Sequence, residues 1–338
     1  MGENGLNKLY LKSSLIRFSI IFFISIILII SSTLIAYNPP STTRYTNDSF
    51  NFFKQPAYNE SQFNIIFDLH SHTKYSDGIL SIEQNILWHI AHGFNAMALT
   101  DHNTLWNANN LVKIAEKYRD QIVVIQGMEW TSDRIHMNLI GISEFVPAQS
   151  NPTDEEIQAT INATHEQGGL VVVDHIPWSL PIMPEHPTRA QLLAWGVDYI
   201  ELVNEWVYDY DSDSWCNNTG GFGKITGTDM HRPSNVHGWT FMKSQNFTVE
   251  GVMEQLLVRN TSILYDPDGQ EDQSTYSSNA RYKIVKPIIF FGEIFQGSGQ
   301  LVDWQSVGIS FSYLIIGFVI IEATVYSIKK YREKKKEE

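Results

Sequence analysis

Histidines and acidic residues recur along this chain in short islands: His70-Ser71-His72 with Asp77 behind them, then Asp101-His102, Glu129, His136, Asp174-His175 and Asp229-Met230-His231. Imidazoles and carboxylates side by side are the donors chosen by zinc, manganese and iron. No thiolate accompanies them, since Cys216 is the only cysteine and stands apart, so a structural cysteine–zinc knot is excluded. The candidate ligands are His70, His72, Asp77, His102, Glu129, His136, His175, Asp229 and His231. They are too many for one ion. A carboxylate shared between neighbouring ions resolves the excess, and Glu129, in the middle of the set, is placed for that bridge. A lone histidine is ordinarily a core or surface residue. Six of them, each near an acid or another histidine, read as a metal centre.

Such side chains need elements that bring distant islands to one place. Most islands end a run of β-branched or apolar residues: Ile65-Ile66-Phe67, Met97-Ala98-Leu99, Val123-Val124-Ile125, Val171-Val172-Val173 and Lys224-Ile225-Thr226. Polar groups at the ends of successive buried strands are how a barrel assembles a site at its mouth. Residues i and i+2 of a strand share a face, so His70/His72 and Asp229/His231 can each enter one cavity as pairs. Between the strands the pattern turns helical. Ser81–His92 is capped by Ser81 and stopped by Gly93, and a second helix spans about Leu105 to Tyr118. A third opens on the Thr153/Glu156 capping box and ends at Gly168-Gly169. Ile122–Glu129 and Met137–Ile142 are strands expected to form a local hairpin. Leu170–Asp174, Tyr199–Val203 and Lys224–Thr228 supply later strands, Asn246–Arg259 a helix, and Ser262–Tyr265 the last strand.

In order and content the islands FDLHSHTKYSDG, TDHNT, GME, His136, DHIP and TDMH resemble the PHP (polymerase and histidinol phosphatase) superfamily of metal-dependent phosphoesterases. They are most similar to its small phosphatase/exonuclease and carbaryl-hydrolase-like branches. The resemblance covers roughly residues 64 to 245. It implies an α/β fold, a distorted (β/α)7 barrel with a trinuclear site at the C-terminal ends of its strands. By position, His70, His72, Glu129 and Asp229 would hold one metal, and Glu129, His136 and His175 a second. Asp77, His102 and His231 would hold a third. Asp77 stands where many relatives have histidine, and His175-Ile176-Pro177 replaces the usual His-Pro.

The implied activity is hydrolysis of a small phosphorylated substrate by a metal-bridged hydroxide, with two or three divalent ions (Mn, Zn or Fe) as cofactors. No side-chain nucleophile is evident: a Gly-x-Ser-x-Gly elbow is missing, and Cys216 lies in an Asn- and Gly-rich stretch. Asp101 is expected to orient a ligand histidine or the attacking water, or else to cap the following helix. Arg232 and Arg134, with Lys74, are candidate phosphate clamps, because a guanidinium fork fits a phosphate bidentately. Trp130, Trp178, Trp206 and Trp239 lie near the islands and could stack on a ring or pack the barrel. His89 and His92 are expected as a surface pair. Two alternatives remain: a metallohydrolase of the same fold acting on carboxylic or carbamate esters or amides, and a non-catalytic, membrane-tethered metal sensor. The second is disfavoured because all nine ligand positions are filled.

Phe18 to Tyr37 carries no charge and is long enough to cross a hydrocarbon core, longer than the apolar region of a cleaved signal peptide, so an uncleaved anchor is expected. The N-terminal Met1-Gly2 lacks the hydroxyl residue that myristoylation requires, that position being Leu6. Val307 to Ile328 is a second apolar run, interrupted by Glu322 and followed by a lysine- and arginine-rich tail. Positive flanks stay in the cytoplasm, and Lys8, Lys12 and Arg17 precede the first run. Both termini are therefore expected in the cytoplasm, with the catalytic domain extracytoplasmic and the bilayer as a partner. Glu322 should face the other helix or a partner. The expected division is 1–17 cytoplasmic, 18–37 transmembrane, 38–63 linker, 64–266 barrel, 267–306 linker and juxtamembrane segment, 307–328 transmembrane and 329–338 basic tail. Ile284 to Phe295 is expected as an interfacial or barrel-packing segment. The net charge is −13, and its acidic excess lies between the two apolar runs. That disfavours a dedicated nucleic-acid partner but not a small phosphate, because metals supply local positive charge. One cysteine precludes an internal disulfide. Sequons at Asn47, Asn59, Asn162, Asn217, Asn246 and Asn260 fall between the apolar runs.

Overall fold

The computed structural model describes residues 3–37, 39–51, 53, 55–106, 108–296 and 302–337. The expectation for Met1-Gly2 lies outside them, as do 38, 52, 54, 297–301 and 338 within the expected linkers and tail. The chain forms two compact units. One comprises residues 45–277, the other the terminal segments 1–44 and 278–338.

The first unit is a mixed α/β barrel. Its strands are β1 (Ile65–Asp68), β2 (Ala96–Leu99), β3 (Val123–Thr131), β4 (His136–Ile140), β5 (Leu170–Val173), β6 (Tyr199–Asn204), β7 (Val207–Tyr208), β8 (Gly223–Gly227), β9 (Val236–Met242) and β10 (Ser262–Gln270). The helices are α1 (Ile82–Ala91), α2 (Ala108–Ala115), α3 (Asp154–Glu166), α4 (Ile176–Ile182), α5 (Arg189–Trp195), α6 (Tyr210–Thr219) and α7 (Val249–Leu257). The sheet runs β10-β9-β1-β2-β3-β4-β5-β6-β7, with β8 paired to β6. Strands β1, β2 and β3 are parallel, as are β5, β6 and β8. β4 is antiparallel to both neighbours. The hairpin expected to be a local extension is therefore part of the barrel wall. β9, which the sequence pattern missed, pairs antiparallel with β1 and β10.

Ladder hydrogen bonds do not close the ring between β8 and β1; individual contacts do. Leu69 N donates to Thr226 O, and His72 N to Met230 O at 3.0 Å. Asp68 accepts from Thr228 N at 2.8 Å and from Thr228 Oγ1 at 2.6 Å.

Strand alternation explains the two apolar layers. Phe67, Ala98, Ile125, Val172, Tyr199 and Ile225 fill the inside of the barrel, while Met97, Leu99 and Val124 face outward beneath α1 and α2. Val171, Val173, Ile200 and Leu202 lie under α3 and α5. The same period carries Glu129, His136, Asp174 and Glu201 onto the inner face at the C-terminal end. Helix ends follow the residues expected of them. Ser81 caps α1 and Gly93 leaves it at φ 82°, and Thr153 with Glu156 forms the box opening α3.

The second unit holds the apolar helices Glu3–Tyr37 and Trp304–Glu337, whose segments Tyr10–Tyr37 and Trp304–Arg332 are long and apolar enough to cross a membrane. Arg17 meets Glu322 as a two-pronged pair, Nε to Oε1 at 2.8 Å and Nη2 to Oε2 at 2.7 Å, and Tyr10 Oη donates to Oε2 at 2.8 Å. Glu322 thus faces the other helix. Helix Ala280–Glu293 lies on the N-terminal helix: a Cβ at Gly292 would overlap the Ser32 backbone.

Candidate metal centre

Glu129 lies near the C-terminal end of β3 with its side chain 1% exposed, between two sets of imidazoles. Oε1 lies 2.7 Å from His136 Nδ1 and 3.4 Å from His175 Nε2. Oε2 lies 3.1 Å from His70 Nε2, 3.2 Å from His72 Nε2 and 3.1 Å from His102 Nδ1. Asp229 Oδ1 joins the second set, 3.1 Å from His72 Nε2 and 3.4 Å from His70 Nε2. Nearer solvent, Asp77 Oδ2 faces His231 Nε2 at 3.2 Å and His102 Nε2 at 3.5 Å. All nine predicted ligands thus come together in three overlapping groups, each with donor atoms within 4.8 Å of one another: His70/His72/Glu129/Asp229, Glu129/His136/His175 and His72/Asp77/His102/His231.

These donors fit divalent ions. Four imidazoles are held by one nitrogen while the other faces the carboxylates: His70 Nδ1 by Glu201, His102 Nδ1 by Thr131 Oγ1, His175 Nδ1 by Ser179 Oγ and His231 Nδ1 by the Asp229 carbonyl. Outer partners of this kind fix the tautomer and ring angle of a metal ligand. His72 Nδ1, fully buried, has no hydrogen-bond partner among the described residues. Two ligand residues also adopt left-handed backbone, His175 at φ 27° and Asp229 at φ 50°, and such strain persists only where surroundings impose it.

The electrostatics point the same way. Burial opposes charge on His70, but Asp229, Glu201 and Glu129 overcome it and raise its pKa well above the ordinary value. Burial also opposes charge on His72, and hydrogen bonds to Asp229 and Glu129 raise it to about 9. Burial works against the ionised carboxyls of Glu129 and Asp229, yet the surrounding imidazoles hold both well below the usual range. The raised His70 and His72 and the lowered Glu129 and Asp229 thus favour opposite charges in one buried cluster.

Several functional side chains escaped the sequence reading. Glu201, fully buried on β6, sets Oε1 3.1 Å from His70 Nδ1, while Oε2 accepts from His175 N at 2.8 Å and Asn204 Nδ2 at 3.0 Å. Asn204 Nδ2 also reaches Asp229 Oδ2 at 3.2 Å. One carboxylate and one amide therefore brace residues of two ligand groups. A glutamate inside Tyr199-Ile200-Glu201-Leu202-Val203, in register with the inward Tyr199, was the available signal. Asp174 is fully buried beside them and accepts from Asn138 Nδ2 at 2.9 Å. Burial, with Glu201, Glu129 and Asp229 nearby, raises its pKa well above the carboxylate range against the pull of His70.

Other predicted residues take different positions. Asp101 accepts from Thr73 N and Oγ1, both at 2.7 Å, and from Ser76 Oγ at 2.8 Å, so it ties down the loop that presents Asp77. Arg134 is engaged structurally instead of lying open to a phosphate. Its guanidinium donates to Asp154 Oδ1, Pro152 O and Glu185 O, pinning the loop after α4. Arg232 and Lys74 are exposed. His89 and His92 are fully buried, not a surface pair; His89 Nε2 lies 2.8 Å from Asp68 Oδ2. Trp130 and Trp239 belong to the core, while Trp178 and Trp206 are exposed.

Residues 68–194 match the family model of the PHP domain. Among solved structures, a two-domain protein from Bacteroides vulgatus containing a predicted PHP-like metal-dependent phosphoesterase is similar over 64% of this chain and 68% of its own, at 21% identity and TM-score 0.53. The lesion-specific endonuclease of Pyrococcus furiosus is similar over 66% and 71%, at 16% identity and TM-score 0.43. Curated protein sequences give no match. With the barrel and its clustered imidazoles and carboxylates already in view, the finding is a likeness: residues 68–194, which hold His70, His72, Asp77, His102, Glu129, His136 and His175, are similar to the PHP domain.

Proposed function

We propose that the chain is a membrane-anchored phosphoesterase, with both termini in the cytoplasm and the barrel outside. The observation that carries the catalytic reading is the buried Glu129 carboxylate, with one oxygen facing His136 and His175 and the other facing His70, His72 and His102. Two or more divalent ions would be held by the three groups. When bound, they supply Lewis-acid stabilisation of phosphoryl charge and a water acidified toward neutrality. The chain's own residues do the rest. Glu129 keeps two ligand groups in register. Glu201 and Asn204 brace His70, His175 and Asp229, and Asp101 holds the loop carrying Asp77. Arg232, exposed beside His231, reaches for the phosphate. The anchoring reading rests on the two apolar helices, the ion pair between them and the basic C-terminal tail.

The test is hydrolysis of phosphomonoesters, read by released phosphate, and of phosphodiesters, read by the released alcohol, with an aryl carboxylic ester alongside, by the full chain reloaded with manganese or zinc. Turnover of a phosphoester that stops on chelation is the expected result. Turnover of the carboxylic ester alone would refute the proposal.

A further inference from the structure

Helix α4 begins at the ligand His175 and reads Ile176-Pro177-Trp178-Ser179-Leu180-Pro181-Ile182. Ile176 and Ser179 are buried, but Trp178, Leu180 and Ile182 are 55%, 47% and 57% exposed. Isolated exposed apolar side chains are ordinary on a protein surface. Trp178 and Ile182, one turn apart, share a face of this short helix, and the indole lies against the metal centre: the Trp178 ring is centred 5.1 Å from that of His175 and 5.7 Å from that of His136. The indole and Ile182 therefore present an apolar face beside the ligand cluster. It is also braced. Ser179 Oγ holds His175 Nδ1, two prolines stiffen the helix, and Arg134 grips the Glu185 carbonyl just beyond it. A surface kept in place before binding loses little entropy when something lies on it.

Resting on the phosphoesterase reading above, we propose that the substrate is an amphiphilic phosphoester, whose alkyl chain lies along Trp178 and Ile182 while its phosphate enters the metal centre. Charge argues against a nucleotide chain. The domain is acidic, and the arginine beside His136 is committed to Asp154, Pro152 and Glu185. Ile182, one turn beyond the indole, offers no partner for the polar edge of a base. An alkyl chain needs none.

The experiment uses the full chain in lipid nanodiscs, loaded with manganese. It measures phosphate release from ethyl, butyl and octyl phosphate below their micelle concentrations, and from a nucleoside 5′-monophosphate. Binding of the matching alkyl phosphonates, read by calorimetry, gives a second measure that does not depend on turnover. We expect kcat/KM and phosphonate affinity to rise at least about tenfold from ethyl to octyl, a modest share of what burying those methylenes can supply. Trp178→Ala should reduce the octyl-to-ethyl ratio by about tenfold, and Trp178→Phe should keep most of it. Turnover with a flat chain-length series, or a preference for the nucleotide, overturns this inference and leaves the phosphoesterase reading standing. Release from none of these esters, with metal in place, removes both.

Discussion

Gly227 can have no side chain, because a Cβ there would overlap Glu201 Oε1 and approach His70 Cβ to 2.6 Å. The close passage of Glu201 over that backbone is what lets it hold His70 and His175 together. Glu201→Gln, which removes the charge but keeps the shape, should weaken metal binding by about 10- to 100-fold, as loss of outer-sphere partners does elsewhere. Gly227→Ala should move affinity the same way by displacing the same carboxylate. Competition with a chromophoric chelator reads both, and unchanged affinity in the two variants would show that the bracing is incidental. The convergence of the nine predicted ligands was legible in the sequence because most sit in a polar island closing an apolar run, often paired with a second donor. Glu201 was not: its role comes from a parallel strand pairing that places β6 beside β5 and β8. Arg134 misled for a related reason. A guanidinium close in sequence to a ligand looks free until the fold supplies Asp154 and two carbonyls to occupy it.

At the scale of elements, the barrel closes between β1 and β8 by individual contacts, and Asp68 makes two of them. Facing outward from β1, it accepts from Thr228 N and Oγ1 while His89 Nε2 of α1 lies against its other side. Asp68→Ala would take the acceptor from the buried Thr228 N and His89 Nε2 and one of two acceptors from Thr228 Oγ1, at roughly 3 kcal/mol, and should lower the melting temperature of the metal-free protein by about 10 °C. An unchanged melting temperature would mean that the seam is held elsewhere. Helices α1 and α3 were legible because their caps are local chemistry: Ser81 with Gly93, and Thr153 with Glu156. Strand β9 was not, since Gly238 interrupts its pattern and its register is set by β1 and β10. The placement of β4 also depends on partners. A hairpin is visible in sequence, but its pairing with β5 is not.

At the scale of the whole molecule, the two apolar helices were plain from composition, and Glu322 announced that something had to meet it. Arg17 does so with both prongs, and the Tyr10 and Tyr326 rings lie 5.3 Å apart beside the pair. With Tyr10→Cys and Tyr326→Cys introduced together, mild oxidation in membranes should join the termini within one chain. Failure to cross-link while the ends lie on one side would contradict this helix pairing. The account stands or falls on the metal centre at the barrel mouth. Its most direct test is equilibrium uptake of manganese or zinc by the metal-stripped protein, with ions per chain counted by mass spectrometry alongside Glu129→Ala. Two or more ions should enter the wild-type chain and release protons, because His72, raised to about 9, is protonated at neutral pH when no ion is present; the variant should lose at least one ion. A folded wild-type chain that takes up none, or a variant that binds as many as the wild type, would contradict it.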